Sequence, residues 1–309
     1  MKLRLQQVAL FLGFSAIALA LIGAASAVWG VLVFANIKSS PSIPWALPAL
    51  IAFLWMMWQY LGGKGWPKST SARRKNLLRA NPVSKRAFVW SAVAGSLAIG
   101  ALAGFWIVSF RLFAMHANPL LPSAFTSSPF MMGAIILGAS LLAPITEESA
   151  IRGYLQGSLE RSFRPFTAVV MSSLVFAVAH VSQGVAAPKL AFYFLVGVTF
   201  GALAYFNDSI LPVIPVHIAG DLIFFLFVWP FDRTRTLVWQ GETDAWFWLH
   251  VAQTIVFTAL SIAAFHKLRQ VSVNQRAEVQ RASKSASSKI NAQPSSDSAS
   301  DMLMLGNNL

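Results

Sequence analysis

Six ionisable side chains stand inside otherwise apolar stretches of this sequence: Glu147, Glu148, Arg152, His180, His217 and Asp221. Carboxylates and imidazoles are the groups that move protons near neutral pH, so together they suit general acid–base chemistry. Their setting makes them costly. An ionisable group at the centre of a membrane-spanning helix costs at least ~2.5–3.5 kcal/mol on insertion scales, and such groups mark function by default.

The spacing relates them to one another. Glu148 and Arg152 are four residues apart with the acid first, the better orientation for an ion pair along a helix. His217 and Asp221 repeat that spacing, as do Phe176 and His180. Glu147 points about 100° away from Glu148 around a helix of 3.6 residues per turn. Only one of the two acids can therefore face Arg152 well, which leaves the other for chemistry. Pro144, one turn earlier, lacks an N–H and predicts a kink. The segments bearing Glu147 and His180 are joined at Phe163-Arg164-Pro165, and the two residues are equidistant from that turn. An antiparallel hairpin sets them level. His217, nine residues after Asp208, falls nearer one end of its span unless Pro212 and Pro215 bend the entry. A buried Glu–Arg pair also pins helices together, and a lone histidine in a span also bonds a carbonyl. Six such groups on three apolar segments favour a site.

The elements that carry them are membrane spans. The 309 residues are 56% hydrophobic and only 11% charged, against roughly 25% charged in a soluble chain. Composition excludes a disordered or collagenous protein. The absence of Cys excludes disulfides, Cys-ligated zinc, iron–sulfur clusters and thiol nucleophiles. No charge occurs from Leu5 to Ile37, Ser39 to Gly63, Ala87 to Phe110, Leu112 to Thr146, Pro165 to Pro188, Leu190 to Asn207 or Ala245 to His266. An eighth stretch, Ser209 to Phe231, contains only Asp221. A crossing takes about 20 helical residues, so the pattern predicts an all-α polytopic membrane protein with about eight transmembrane helices.

The loop charges predict its orientation. The segment Lys64 to Arg86 carries eight Lys and Arg and no acid; placing it in the cytoplasm puts 18 basic residues inside and five outside. By the positive-inside rule both termini are cytoplasmic. This basic loop and the +13 net charge predict contact with anionic lipid rather than nucleic acid. Trp45, Trp66, Trp229 and Trp246 read as interfacial anchors. Lys2, Arg4 and Ala25-Ser26-Ala27 have the look of a signal peptide, but the apolar run continues to Ala35 and favours an uncleaved anchor. The organisation expected is N-terminal spans over 1–129 with the basic loop 64–86, a core over 130–230, an outer loop and last span over 231–266, and a disordered tail over 267–309.

The polar residues also form three motifs in order. Glu147-Glu148-Ser149-Ala150-Ile151-Arg152 reads E-E-x-x-x-R, Phe176-Ala177-Val178-Ala179-His180 reads F-x-x-x-H, and His217-Ile218-Ala219-Gly220-Asp221 reads H-x-x-x-N with Asp for Asn. In this, residues 130 to 230 resemble the CPBP intramembrane proteases, the group of type II CAAX prenyl endopeptidases and bacterial Abi proteins. Leu142-Ala143-Pro144-Ile145 before the acids and Gly153 after Arg152 agree with it. The resemblance implies a CAAX-protease-like helical core and peptide-bond hydrolysis within the membrane. It implies Glu147 with His180 activating water, His217 and position 221 stabilising the oxyanion, and Glu148 with Arg152 holding the shape. Asp221 departs from the pattern, because an ionised Asp accepts hydrogen bonds and does not donate them. Glu147, His180 and His217 would make a three-ligand zinc set with an open fourth position, and a metal-free glutamate mechanism uses the same residues.

The expected partner is a membrane-embedded or membrane-anchored peptide substrate in the lipid bilayer of a bacterial inner membrane. The alternative is a non-catalytic protein of the same fold, acting in bacteriocin-type immunity or as a scaffold for a membrane sensor. A transporter would carry inverted repeats, but the buried polar groups occupy one half of the chain. Ser96, Ser140, Ser172 and Ser173 fall in no nucleophile motif.

Overall fold

The computed structural model describes residues 2–117, 128–241 and 243–291, and every regular element among them is helical. In chain order these are α1 (Lys2–Ser39), α2 (Ala46–Leu61), the short basic α3 (Ser71–Leu78), α4 (Lys85–Leu112) and α5 (Pro129–Glu147). There follow α6 (Pro165–Ala179), α7 (Ala187–Asn207), α8 (Val213–Ile223) and α9 (Ala245–Asn291). Two helices change pitch without a break. α5 continues as a π-helix over Glu148–Gln156, and α8 continues as a π-helix over Phe224–Val228 and a 3-10 helix over Trp229–Thr234.

Each charge-free stretch of the sequence contains a helix. Six helical segments are long and apolar enough to cross a membrane: Leu5–Ser39, Lys85–Leu112, Pro129–Leu159, Ala187–Asn207, Val213–Thr234 and Ala245–Gln275. The apolar helices Ala46–Leu61 and Pro165–Ala179 are shorter. Large apolar side chains such as Val31, Phe34, Phe130, Val178 and Ile262 are exposed on the outside of the bundle. A bilayer accommodates such a surface, and water does not. The chain is a multi-pass membrane protein.

The chain forms two units, residues 1–268 and residues 269–309. The helical backbone of α9 runs to Asn291, past position 267, where the sequence suggests a disordered tail. Residues 267 to 291 contain neither Gly nor Pro and are rich in Ala, Arg, Gln and Lys, all compatible with continued helix. The remainder of that tail, 292–309, lies outside the described residues.

Within the first unit, the helices outside the three motifs fix the position of those that carry them. α1 lies against α5 and the π-helix, where Phe14 meets the ring of Tyr154 edge-on at 5.5 Å. Asn36 ties α1 to α2: its Oδ1 accepts from Ala46 N at 2.7 Å, and its Nδ2 donates to the carbonyls of Ser40 and Ile43. Ser84 caps α4 by accepting from Ala87 N at 3.3 Å. On α4, Gly95 admits Val216 so closely that a Cβ would stand 2.4 Å from the valine Cγ1. That approach seats α8 one residue before His217.

A polar clamp closes one end of the bundle. Arg79, in the left-handed conformation at φ 56°, pairs with Glu160 at 2.7 Å and with Asp208 at 2.9 Å. Its carbonyl accepts from Ile210 N at 3.0 Å. Asn81 donates to the carbonyl of Asp208 and accepts from Ser209 Oγ through its own carbonyl. The basic segment is therefore bonded to the turn entering α8 and to the end of the helix that carries Glu147.

Candidate active site

Glu147 is the last residue of α5, and Glu148 opens the π-helix. π-helical turns inside α-helices recur at functional sites. Pro144 lies within α5 and cannot donate to the preceding turn. Thr146 and Ser149 return their hydroxyls to the carbonyls of Leu142 and Ile145 at 2.7 and 2.6 Å. These bonds compete with the regular ladder at the place where the pitch changes.

The six residues singled out from sequence meet in one place. His180, just beyond the end of α6, brings Nε2 to 4.0 Å from Glu147 Oε1, as the hairpin midpoint requires. His217 on α8 brings Nε2 to 3.9 Å from Glu147 Oε2 and to 3.6 Å from Asp221 Oδ1. α7 packs on it, with Phe200 against the imidazole at a centroid distance of 4.4 Å.

The second acid does more than pair with the arginine. Glu148 Oε1 lies 3.2 Å from Arg152 Nη1 and 2.9 Å from His217 Nδ1, and both the acid and the arginine are fully buried. Arg152 also donates from Nη2 to the carbonyl of Gly197 at 3.3 Å and lies 4.4 Å above the Phe176 ring. Glu148 thus forms an ion pair with the fixed cation and a hydrogen bond with a histidine.

Hydrogen-bond partners assign the protons. His180 Nδ1 is 2.8 Å from the carbonyl of Phe176. A carbonyl only accepts, so Nδ1 carries the hydrogen and Nε2 presents a lone pair toward Glu147. His217 Nδ1 likewise donates to Glu148, leaving Nε2 directed at Glu147 and Asp221. Glu147 Oε2 is buried without a hydrogen-bond partner. Three carboxylates surround one guanidinium, so protons must be distributed among Glu147, Asp221 and His217.

Glu147, His180, His217 and Asp221 form the polar wall of a cavity of about 120 Å³, otherwise lined by Ile99, Leu102, Phe192, Val196, Phe224, Phe225 and similar apolar residues. Several of its residues were not identified as site residues from the sequence. Tyr193 stacks on His180 with centroids 4.2 Å apart and planes 19° apart. Phe200 and Gln183 line the same space. Trp229, which reads as an interfacial anchor, is part of the cavity wall, edge-on to Phe225 at 4.9 Å. Lys189, which reads as an outer-loop charge, is 1% exposed and lies over the rings of Trp106 and Phe110.

The donor set of Glu147, His180 and His217 is chemically suited to zinc. Its atoms stand 3.9 to 4.0 Å apart, wider than the ~3.3 Å between ligands implied by tetrahedral bonds of about 2.0–2.1 Å. Among the described residues no group of three His, Asp or Glu closes around a common point. A metal held there would need Glu147 and the two histidines to draw together by a few tenths of an ångström.

Residues 129–223 match the family model described as type II CAAX prenyl endopeptidase Rce1-like. The matched stretch starts at the first residue of α5, ends at the last residue of α8 and includes all six polar residues. Neither the curated proteins nor the solved structures give a match.

Proposed function

We propose, from the match of residues 129–223 to the type II CAAX prenyl endopeptidase Rce1-like family model, that this chain is an intramembrane endopeptidase. The reaction is hydrolysis of a peptide bond in a membrane-anchored or membrane-embedded substrate. One observation carries the reading: a carboxylate lies between two imidazole nitrogens at 4.0 and 3.9 Å, a separation that admits a bridging water and leaves no direct hydrogen bond.

In this reading the water donates one hydrogen bond to the lone pair of His180 Nε2 and one to Glu147. Glu147 takes the second proton as the water oxygen bonds to the scissile carbonyl carbon, and the carbonyl π electrons move to oxygen. His217, held as imidazolium by Glu148, donates from Nε2 to that oxyanion. The intermediate collapses as the C–N bond breaks and Glu147 returns the proton to the departing amine. Water and one peptide bond become one carboxylic acid and one amine. Glu148 and Arg152 keep His217 aimed, and the apolar wall excludes bulk water, which strengthens each of these interactions.

The charge distribution supports an orientation with both termini and the Lys64 to Arg86 loop in the cytoplasm of a bacterial cell. The test of function is mass spectrometry of membrane-protein termini from cells expressing the wild type or Glu147→Ala at equal levels. New termini should appear with the wild type alone. Identical termini in both would end the proteolytic assignment and favour an immunity or scaffold role.

A further inference from the structure

Two rings from one helix cover the two imidazoles of the site. Tyr193 and Phe200 stand seven residues apart on α7 and so share a face of it. Tyr193 lies on His180 with centroids 4.2 Å and planes 19° apart, and Phe200 lies on His217 with centroids 4.4 Å and planes 35° apart. Val196, between them on the same face, lines the cavity with both. α7 supplies none of the six polar residues, yet it touches both histidines. Their hydrogen bonds alone leave the rings a freedom. His180 Nδ1 is held by the Phe176 carbonyl and His217 Nδ1 by Glu148. One such bond fixes one point of a plane, and the ring can still rock about it, carrying Nε2 toward or away from Glu147. A flat partner stacked against the ring face removes that motion.

The helix that carries these rings is itself held in place. The Tyr193 hydroxyl donates to Gln183 Oε1, in the 3-10 turn that follows His180. Lys189 Nζ, one helical turn earlier on α7, donates to the Gln183 carbonyl at 2.9 Å. Gly197 lets α7 approach α6 so closely that a Cβ would stand 2.8 Å from Ser173 Cβ. Its carbonyl accepts from Arg152 Nη2 at 3.3 Å, and the guanidinium of the same arginine lies 5.5 Å from the Phe200 ring. Both aromatic side chains are buried.

We propose that Tyr193 and Phe200 are positioning residues, each aiming Nε2 of its own histidine, His180 and His217 respectively, at the space beside Glu147. Neither ring takes or gives a proton; each acts through the imidazole it covers. This inference rests on the proteolytic reading above.

The test uses the full chain in lipid nanodiscs, labelled with nitrogen-15 in the histidine rings. The chain has five histidines, and the signals of His180 and His217 are assigned by their loss in His180→Gln and His217→Gln. Tyr193→Leu should shift and broaden the ring-nitrogen signals of His180 and leave those of His217 in place; Phe200→Leu should do the reverse. Apolar fluorogenic peptides are then screened for cleavage that depends on Glu147. On such a peptide each leucine variant should lower kcat at least about tenfold with KM changed less than about threefold, the loss expected when reacting groups are misplaced and substrate binding is kept. Tyr193→Phe keeps the stacked ring and should stay within about threefold of the wild type. Tyr193→Met and Phe200→Met, whose flexible side chains fill more of the vacated space, carry the test if the leucine variants melt early. Folded variants whose imidazole signals stay as in the wild type would overturn the inference. So would signals of both histidines moving together whichever ring is removed, because a packing role does not follow the stacked partner. A kcat within about threefold of wild type without the ring, or a loss confined to KM, would overturn it as well. Peptide cleavage indifferent to Glu147→Ala is a separate failure, which removes the proteolytic reading and the roles of both rings in it, whatever the spectra show.

Discussion

Glu148 and His217, 69 positions apart in the chain, are joined by a 2.9 Å hydrogen bond between Oε1 and Nδ1. The same oxygen lies 3.2 Å from Arg152 Nη1. The acid is thus both counter-ion to the arginine and orienter of the histidine, and these duties separate on mutation. Glu148→Gln keeps an oxygen that can accept from Nδ1 but removes the charge that stabilises an imidazolium. Activity on a Glu147-dependent substrate should fall at least about 10²-fold while the protein remains folded, as for other orienting partners of catalytic or ligating histidines. Retention of full activity would mean that His217 works as a neutral ring.

Arg152→Ala tests the other duty. The arginine is fully buried, and its removal leaves the buried Glu148 with His217 alone to balance its charge, a change that costs about 3–5 kcal/mol. The expected result is a large drop in melting temperature in detergent, with loss of activity following loss of fold. A variant that melts like the wild type would show that protons, not Arg152, neutralise this acid.

Asp221→Asn in the otherwise native chain should leave kcat within about threefold, since the side chain keeps its size and gains a donor. The 3.6 Å contact between Asp221 Oδ1 and His217 Nε2 offers the opposite outcome. If an ionised Asp221 is required to hold His217, the substitution should cost about 10²-fold. Steady-state kinetics on one peptide distinguishes the two.

Arg79→Ala removes the link among the basic segment, Glu160 and Asp208. Both partners lose their cation, and Glu160 is largely buried with it. A destabilisation of about 2–4 kcal/mol is expected from breaking a mostly buried network, visible as a lower melting temperature. Arg79→Lys should not restore it, because a single ammonium cannot reproduce the forked contact with Glu160. A lysine variant as stable as the wild type would reduce the clamp to simple charge neutralisation.

Much of the site could be read before the fold was seen because its geometry is local or nearly so. The Glu148–Arg152 pair follows from a spacing of four. Glu147 and His180 follow from a tight turn midway between them. Bonds between distant segments were not legible in this way. Nothing near Glu148 in sequence indicates that His217 is its partner, and no propensity predicts nine residues of π-helix after Glu147. Lys189 and Trp229 looked like surface residues because their types favour the membrane boundary; contacts with other helices bury one and place the other in the cavity wall.

Gly153, one residue after Arg152, rests against the backbone of α3: a Cβ there would stand 2.8 Å from the carbonyl oxygens of both Leu77 and Leu78. The stretch that bears every proposed catalytic residue therefore owes part of its packing to a segment that bears none of them. Grafting residues 129–223 alone into another host would strip away the surface that the Gly153 turn presses against, along with the arginine that anchors the entrance to α8. The motifs would travel, but the portable unit is larger than the motifs: it begins no later than the basic segment before α4.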